Sequence, residues 1–155
     1  LANNLATSPA PAAASAGALL IGAPVFLSST DPGVIAQEHR KLGYSAGYCP
    51  NVRITDKERL RAIEAEFARA RVVIAEVGAW KNLLDPNPEL RRQNFDYVVE
   101  RMAIADEVGA RCCVDISGSY NPKVWYGPHP KNLSREGFDA TVENCRKILD
   151  AVKPK

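Results

Sequence analysis

The feature that most constrains this chain is an alternation. Short apolar runs are followed by longer segments whose apolar residues recur at helical spacing, and the pattern repeats from residue 22 onward. The clearest run is Val72-Val73-Ile74-Ala75-Glu76-Val77, β-branched and nearly unbroken. A run of that kind suits a strand covered on both faces, as parallel sheets require. Residues 23–27 read as an earlier strand, with Pro24 tolerable only near its start, and residues 45–49 and 111–116 read as two more.

The segments between them carry helix signals. Asp31-Pro32 offers an N-cap and a proline at the first helical position, ahead of Val34, Ile35, Glu38 and Leu42 on one face, with Gly43 as the stop. Thr55-Asp56-Lys57-Glu58 matches a capping box before Leu60, Ile63 and Phe67. Asn87-Pro88-Glu89 opens a helix bearing Phe95, Val98, Met102 and Ala105, closed at Gly109. Ser134 caps a last helix with Phe138, Val142, Cys145, Leu149 and Val152 on one stripe. The order βαβαβαβα predicts an α/β fold with a parallel sheet and right-handed crossovers. Two architectures satisfy it: an open doubly wound sheet, or a parallel (β/α)4 half of a TIM (β/α)8 barrel. No G-x-G-x-x-G or Walker sequence follows a strand, so the nucleotide-binding open sheets lose support.

Composition sets the limits of function. The net charge of +2 is too balanced for a nucleic-acid footprint, and no stretch approaches the roughly 20 apolar residues of a membrane helix. Residues 1–20 hold mostly Ala, Ser and Pro, carry no charge, and read as a disordered leader or linker, leaving 21–155 as the folded unit. Ala14-Ser15-Ala16 resembles a signal-peptidase site, but no basic n-region precedes it, so a cytoplasmic location is expected over export. Cys49, Cys112, Cys113 and Cys145 form no C-x-x-C and are expected to be small buried residues.

In both architectures ligands gather beyond the C-terminal strand ends. Glu76 is a carboxylate inside an apolar strand; it serves either as a substrate or acid–base group or as half of an interior salt bridge. Asp115 holds the matching near-end position of the last strand. Residues 117–133 form an unusually long loop that includes Ser117, Trp125, Tyr126 and His129, and Trp80 lies on the preceding loop. Flat aromatics beside amides and hydroxyls suit a small polyol pocket, although Trp125 and Tyr126 also suit pinning the loop to its scaffold. His129, between prolines, reads as a surface or substrate-facing residue, and His39 as solvated. No cluster has metal-ligand spacing.

At Val73-Ile74-Ala75-Glu76-Val77-Gly78-Ala79-Trp80 and Cys112-Cys113-Val114-Asp115-Ile116-Ser117-Gly118-Ser119 the chain resembles the xylose-isomerase-like TIM-barrel superfamily. Within it the similarity is to sugar phosphate isomerases/epimerases, and covers residues 23–155. The resemblance implies a metal-dependent enzyme (Mn, Mg, Co or Zn) that moves a proton between adjacent carbons of a sugar-like substrate through an enediolate. The family's ligands lie on strands five to eight, so none is carried over. Glu76, Trp80, Asp115, Ser117, Trp125 and His129 then remain as first-half substrate contacts, in a chain expected to be inactive alone. The apurinic-site endonuclease branch, with histidines after strands two and three, is disfavoured by Cys49-Pro50 and Gly78-Ala79-Trp80. A full barrel needs about 250 residues, so 155 beginning at Leu1 reads as the N-terminal half, partnered by a missing C-terminal half. The competing expectation is a non-catalytic half-barrel that assembles as a homodimer through its exposed strand edges.

Overall fold

The computed structural model describes residues 19–155, so most of the expected leader lies outside the described residues. Within them lie four helices and a three-stranded parallel sheet. In chain order the elements are α1 Pro32–Lys41, β1 Ala46–Tyr48, α2 Lys57–Arg69, β2 Val73–Gly78, α3 Pro88–Glu107, β3 Cys112–Val114 and α4 Arg135–Val152, with a 3-10 turn Pro130–Leu133 before α4. The strands lie side by side in the order β1-β2-β3, so each βα crossover steps one place along the sheet.

The helix boundaries follow from their caps. Asp31 accepts from Val34 N, Asn87 from Glu89 N and Leu90 N, and Ser134 from Gly137 N, each satisfying a free N–H of the first turn. At α2 the cap is Asp56, which accepts from Arg59 N, so the expected Thr55–Glu58 box is displaced by one residue. Gly43 and Gly109 lie at φ 82° and 63°, the left-handed stops their positions suggested.

One expected strand does not form. Residues 23–27 pair with no strand: only Gly22 bridges the sheet, parallel to Ala46, and Phe26 is 93% exposed. Pro24 lacks the N–H a ladder needs, and the segment is the last in the sheet, with no second neighbour to hold it. The edge strand is therefore β1, beside which Ser45 N and Ala46 N donate to Ile21 O and Ile21 N donates to Ser45 Oγ at 3.2 Å.

The core lies between the sheet and α1–α3. Leu60, Ile63 and Phe67 of α2 pack with Ile74 and Val77 of β2 and with Ile104 and Ala105 of α3. A second cluster joins Ala79, Leu83 and Val98 to Ile148 of α4. Two expectations are corrected here. His39 is not solvated but 1% exposed: its ring faces β1, where a Cβ on Gly47 would collide with it. Cys112 and Cys145 are exposed, while Cys49 is buried and Cys113 half-buried. Neighbouring strand residues face opposite sides, so Cys112 and Cys113 had to part company. No described helix is long and apolar enough to cross a membrane.

Candidate functional site

The most informative part of the sheet is an irregularity in β2. Ala46 pairs with Val73 and Gly47 with Ile74, but Tyr48 pairs with Glu76, so Ala75 is an extra residue opposite the gap between Gly47 and Tyr48. A bulge of this kind re-aims the side chains beyond it. Strict alternation would put Glu76 on the side of Ile74, in the helix-covered core. Instead Val77 joins Ile74 there, and Glu76 joins Ala75 and Tyr48 around an open cavity of about 220 Å³ on the other face.

Beyond the bulge the alternation resumes, so Glu76, Gly78 and Trp80 share that open face. The indole Nε1 of Trp80 occupies the place a Cβ on Gly78 would take, and Glu76 Oε1 borders the same point. Trp80 holds φ 34°, a left-handed conformation that costs a non-glycine residue about 1–3 kcal/mol. Glu76 Oε1 is buried and has no hydrogen-bond partner. Its burial pushes the carboxyl above the ordinary value of 4.5, because a low-dielectric setting disfavours the charge. No ion pair within 4 Å involves Glu76 among the described residues.

Asp115 does not join it. Val77 pairs with Cys113 and Gly78 with Val114, so the side that follows Cys113 leads to Asp115. Asp115 and Ser117 line a groove of about 340 Å³ between α3, α4 and β3, together with Leu83, Val98 and Ile148. Asp115 Oδ1 accepts from Lys81 N at 2.8 Å, while Oδ2 is buried and unpartnered. Desolvation raises this carboxyl too, partly opposed by the bonds from Lys81 N and Ile116 N. Two carboxylates that look equivalent in sequence thus belong to opposite faces of the sheet.

The long loop is built around Ser119. Its N–H donates to Asn82 Oδ1 at 2.8 Å, and Asn82 Nδ2 returns a bond to Ser119 O at 2.9 Å. Ser119 Oγ donates to Gly127 O at 2.6 Å and accepts from Asn132 Nδ2 at 3.0 Å. Gly118, at φ 86°, passes so close to Asn82 Oδ1 that a Cβ would collide with it. Asn82 and Ser119 are both buried. None of these three polar residues stands out in the sequence, since Asn82 and Ser119 are 37 positions apart. The Gly-Ser pair beside a long loop was the one available sign.

His129 is an end-cap: its Nδ1 accepts from Lys131 N at 3.2 Å, and its ring lies 6.0 Å from that of Tyr120. Trp125 and Tyr126 form an edge-on pair at 5.2 Å, both exposed on the loop's outer side. Of the six candidate residues, only Glu76 and Trp80 are brought together on the open face. Among the described residues no group of three or more His, Cys, Asp or Glu side chains is placed to hold a metal ion.

No protein-family model matches the chain, and comparison with curated proteins gives no match.

Proposed function

We propose that this chain is the N-terminal (β/α)4 half of a sugar or sugar-phosphate isomerase/epimerase-like barrel, in which the open face of the sheet becomes the inner wall of the substrate pocket. Sequential parallel strands stepping in one direction are what half of a (β/α)8 barrel requires. The observation that carries the functional part is the Glu76–Gly78–Trp80 constellation. A bulge turns a carboxylate out of the core, and a strained indole flanks its unpartnered oxygen. In such a site the indole face covers the C–H side of a sugar ring, and Glu76 Oε1 accepts from a ring hydroxyl. With its carboxyl raised by burial, Glu76 also holds a proton more readily than an exposed glutamate does.

This half binds and orients the substrate: Glu76 holds a hydroxyl, and Trp80 fixes the ring plane. The remainder of the chemistry belongs to the complementary half-barrel.

The test is a titration of the chain with pentoses, hexoses and their phosphates, read at the indole N–H resonances. Millimolar binding is expected, with the Trp80 signal moving first. Glu76→Gln should weaken it about tenfold, the equivalent of one hydrogen bond of about 1.4 kcal/mol. An unmoved Trp80 resonance at about 100 mM of every sugar, where binding is worth only about 1.4 kcal/mol, would refute the assignment.

A further inference from the structure

His39 is the one ionisable side chain that α1 buries, and the open face of the sheet makes no use of it. Its ring is 1% exposed, packed against Gly47, with centroids 5.7 Å from Phe67 and 6.4 Å from Tyr44. Nδ1 lies 2.8 Å from Ile35 O, a carbonyl that can only accept. The proton of the neutral ring therefore sits on Nδ1, and Nε2 keeps a lone pair. Nε2 is buried and has no hydrogen-bond partner. A buried acceptor in that state is unfavourable until a donor meets it.

The same ring lines a cleft of about 200 Å³ between α1, the end of β1 and residues 24–29. Val25, Leu27, Ile35 and Pro50 give it apolar walls, and no carboxylate, lysine or arginine lines it. Exposure alternates along the segment: Val25, Leu27 and Ser29 are half-buried, while Phe26 and Ser28 are exposed. Ser29 Oγ accepts from Asp31 N at 3.1 Å and still has its own proton to donate. Cys49 Sγ donates to Pro50 O, and burial pushes this thiol up to about 11, so it offers no thiolate to a metal or an electrophile.

We infer that this cleft binds a small neutral molecule with one hydroxyl on an apolar body of about benzene size, its O–H donating to His39 Nε2 and its oxygen accepting from Ser29 Oγ. The size follows from the volume, since an apolar cavity of about 150 Å³ already holds benzene. The hydroxyl follows from the lone pair: a carboxylate or phosphate has only acceptors to set against it. Nε2 is closed off from water, so the ligand reaches it as the wall of residues 24–29 gives way. Residues 23–27 pair with no strand, which leaves that wall free to move. Neither Glu76 nor Trp80 lines the cleft, and the inference does not rest on the sugar reading.

Phenol is the probe, and fluorobenzene, of nearly the same shape without the donor, is its control. Each is titrated into the full chain to about 10 mM and read by long-range ¹H–¹⁵N correlation of the histidine rings. In the free protein His39 should show a protonated Nδ1 and an unprotonated Nε2. Phenol should move the Nε2 resonance with a Kd of about 1 mM, ordinary for a ligand this small, and leave His129 unmoved. Fluorobenzene should bind about tenfold more weakly, for want of one hydrogen bond. Leu27→Trp, which fills the cleft from outside the sheet ladder, should abolish phenol binding with the circular dichroism unchanged. His39→Phe should lower phenol to the level of fluorobenzene; the comparison of the two ligands on the unaltered chain needs no variant and stands even where that one does not fold. An Nε2 resonance unmoved by about 10 mM phenol would mean that water alone fills the cleft, and would overturn the inference. Equal affinity for the two ligands, or phenol binding that survives Leu27→Trp, would overturn it as well.

Discussion

Helices α2 and α4 are the same kind of element in the same repeating unit, yet they end up in opposite conditions. On α2 the apolar stripe is closed off: Leu60, Ile63 and Phe67 are all buried against the sheet and its neighbours. On α4 the stripe Phe138, Val142, Cys145, Leu149 is as regular in sequence, but Phe138 is 61% and Leu149 49% exposed, and the buried contact falls to Ile148. The difference lies in what stands beside each helix. Helix α2 packs on α1 and β2, with β1 and β3 on either side of β2. Helix α4 packs on α3 beside β3, whose outer edge carries no strand among the described residues. Amphipathicity states how much surface a helix has to bury, while the number of neighbours decides how much of it is buried.

That contrast can be broken most decisively by truncation on each side. Phe67→Ala should cost about 3–5 kcal/mol, the range for a large aromatic removed from a closed core, measured by urea denaturation. Leu149→Ala should cost less than about 1 kcal/mol. Equal losses at the two positions would mean that α4 is covered in solution.

A second, somewhat smaller effect tests the loop that joins the closed side to the open one. Gly118→Ala forces a Cβ against Asn82 Oδ1 at a φ of 86°, which should cost about 2–4 kcal/mol in thermal or chemical unfolding. The loss should come with faster hydrogen exchange in residues 117–133, since Ser119 anchors that loop through Asn82 and Asn132.

The smallest effect sharpens the comparison by pH. Burial raises the Glu76 carboxyl, so between its ordinary value of 4.5 and its raised value the folded chain binds more protons than the unfolded one. Stability contributed by this group therefore falls as pH rises through that window, and the penalty persists above it. Glu76→Gln should leave stability unchanged well below pH 4 and raise the melting temperature slightly at neutral pH.

Much of this was legible in the residues. Caps at Asp31, Asn87 and Ser134 and stops at Gly43 and Gly109 are local signals, so the helices could be read without the fold. The strands β1 to β3 announced themselves through β-branched or small apolar runs. Residues 23–27 carried the same apolar signal and failed as a strand, because pairing depends on a neighbour and composition cannot supply one. His39 was hidden by its flanking Arg40 and Lys41: helix position, not sequence company, turned it towards Gly47, where Nδ1 donates to Ile35 O at 2.8 Å. Asp115 and Glu76 looked like a pair only while both strands were taken as unbroken two-residue repeats.

The extra residue in β2 acts as a frameshift written in three dimensions. Upstream of Ala75 the strand is read in one phase, with Ile74 towards the helices; downstream it is read in the other, with Val77 towards them and Glu76 away. One inserted residue thus allows a single strand to serve as a hydrophobic wall for its first half and as a polar surface for its second. It also means that the identity of Glu76 and its orientation are inherited separately: the codon for the carboxylate is worth little without the unpaired alanine in front of it.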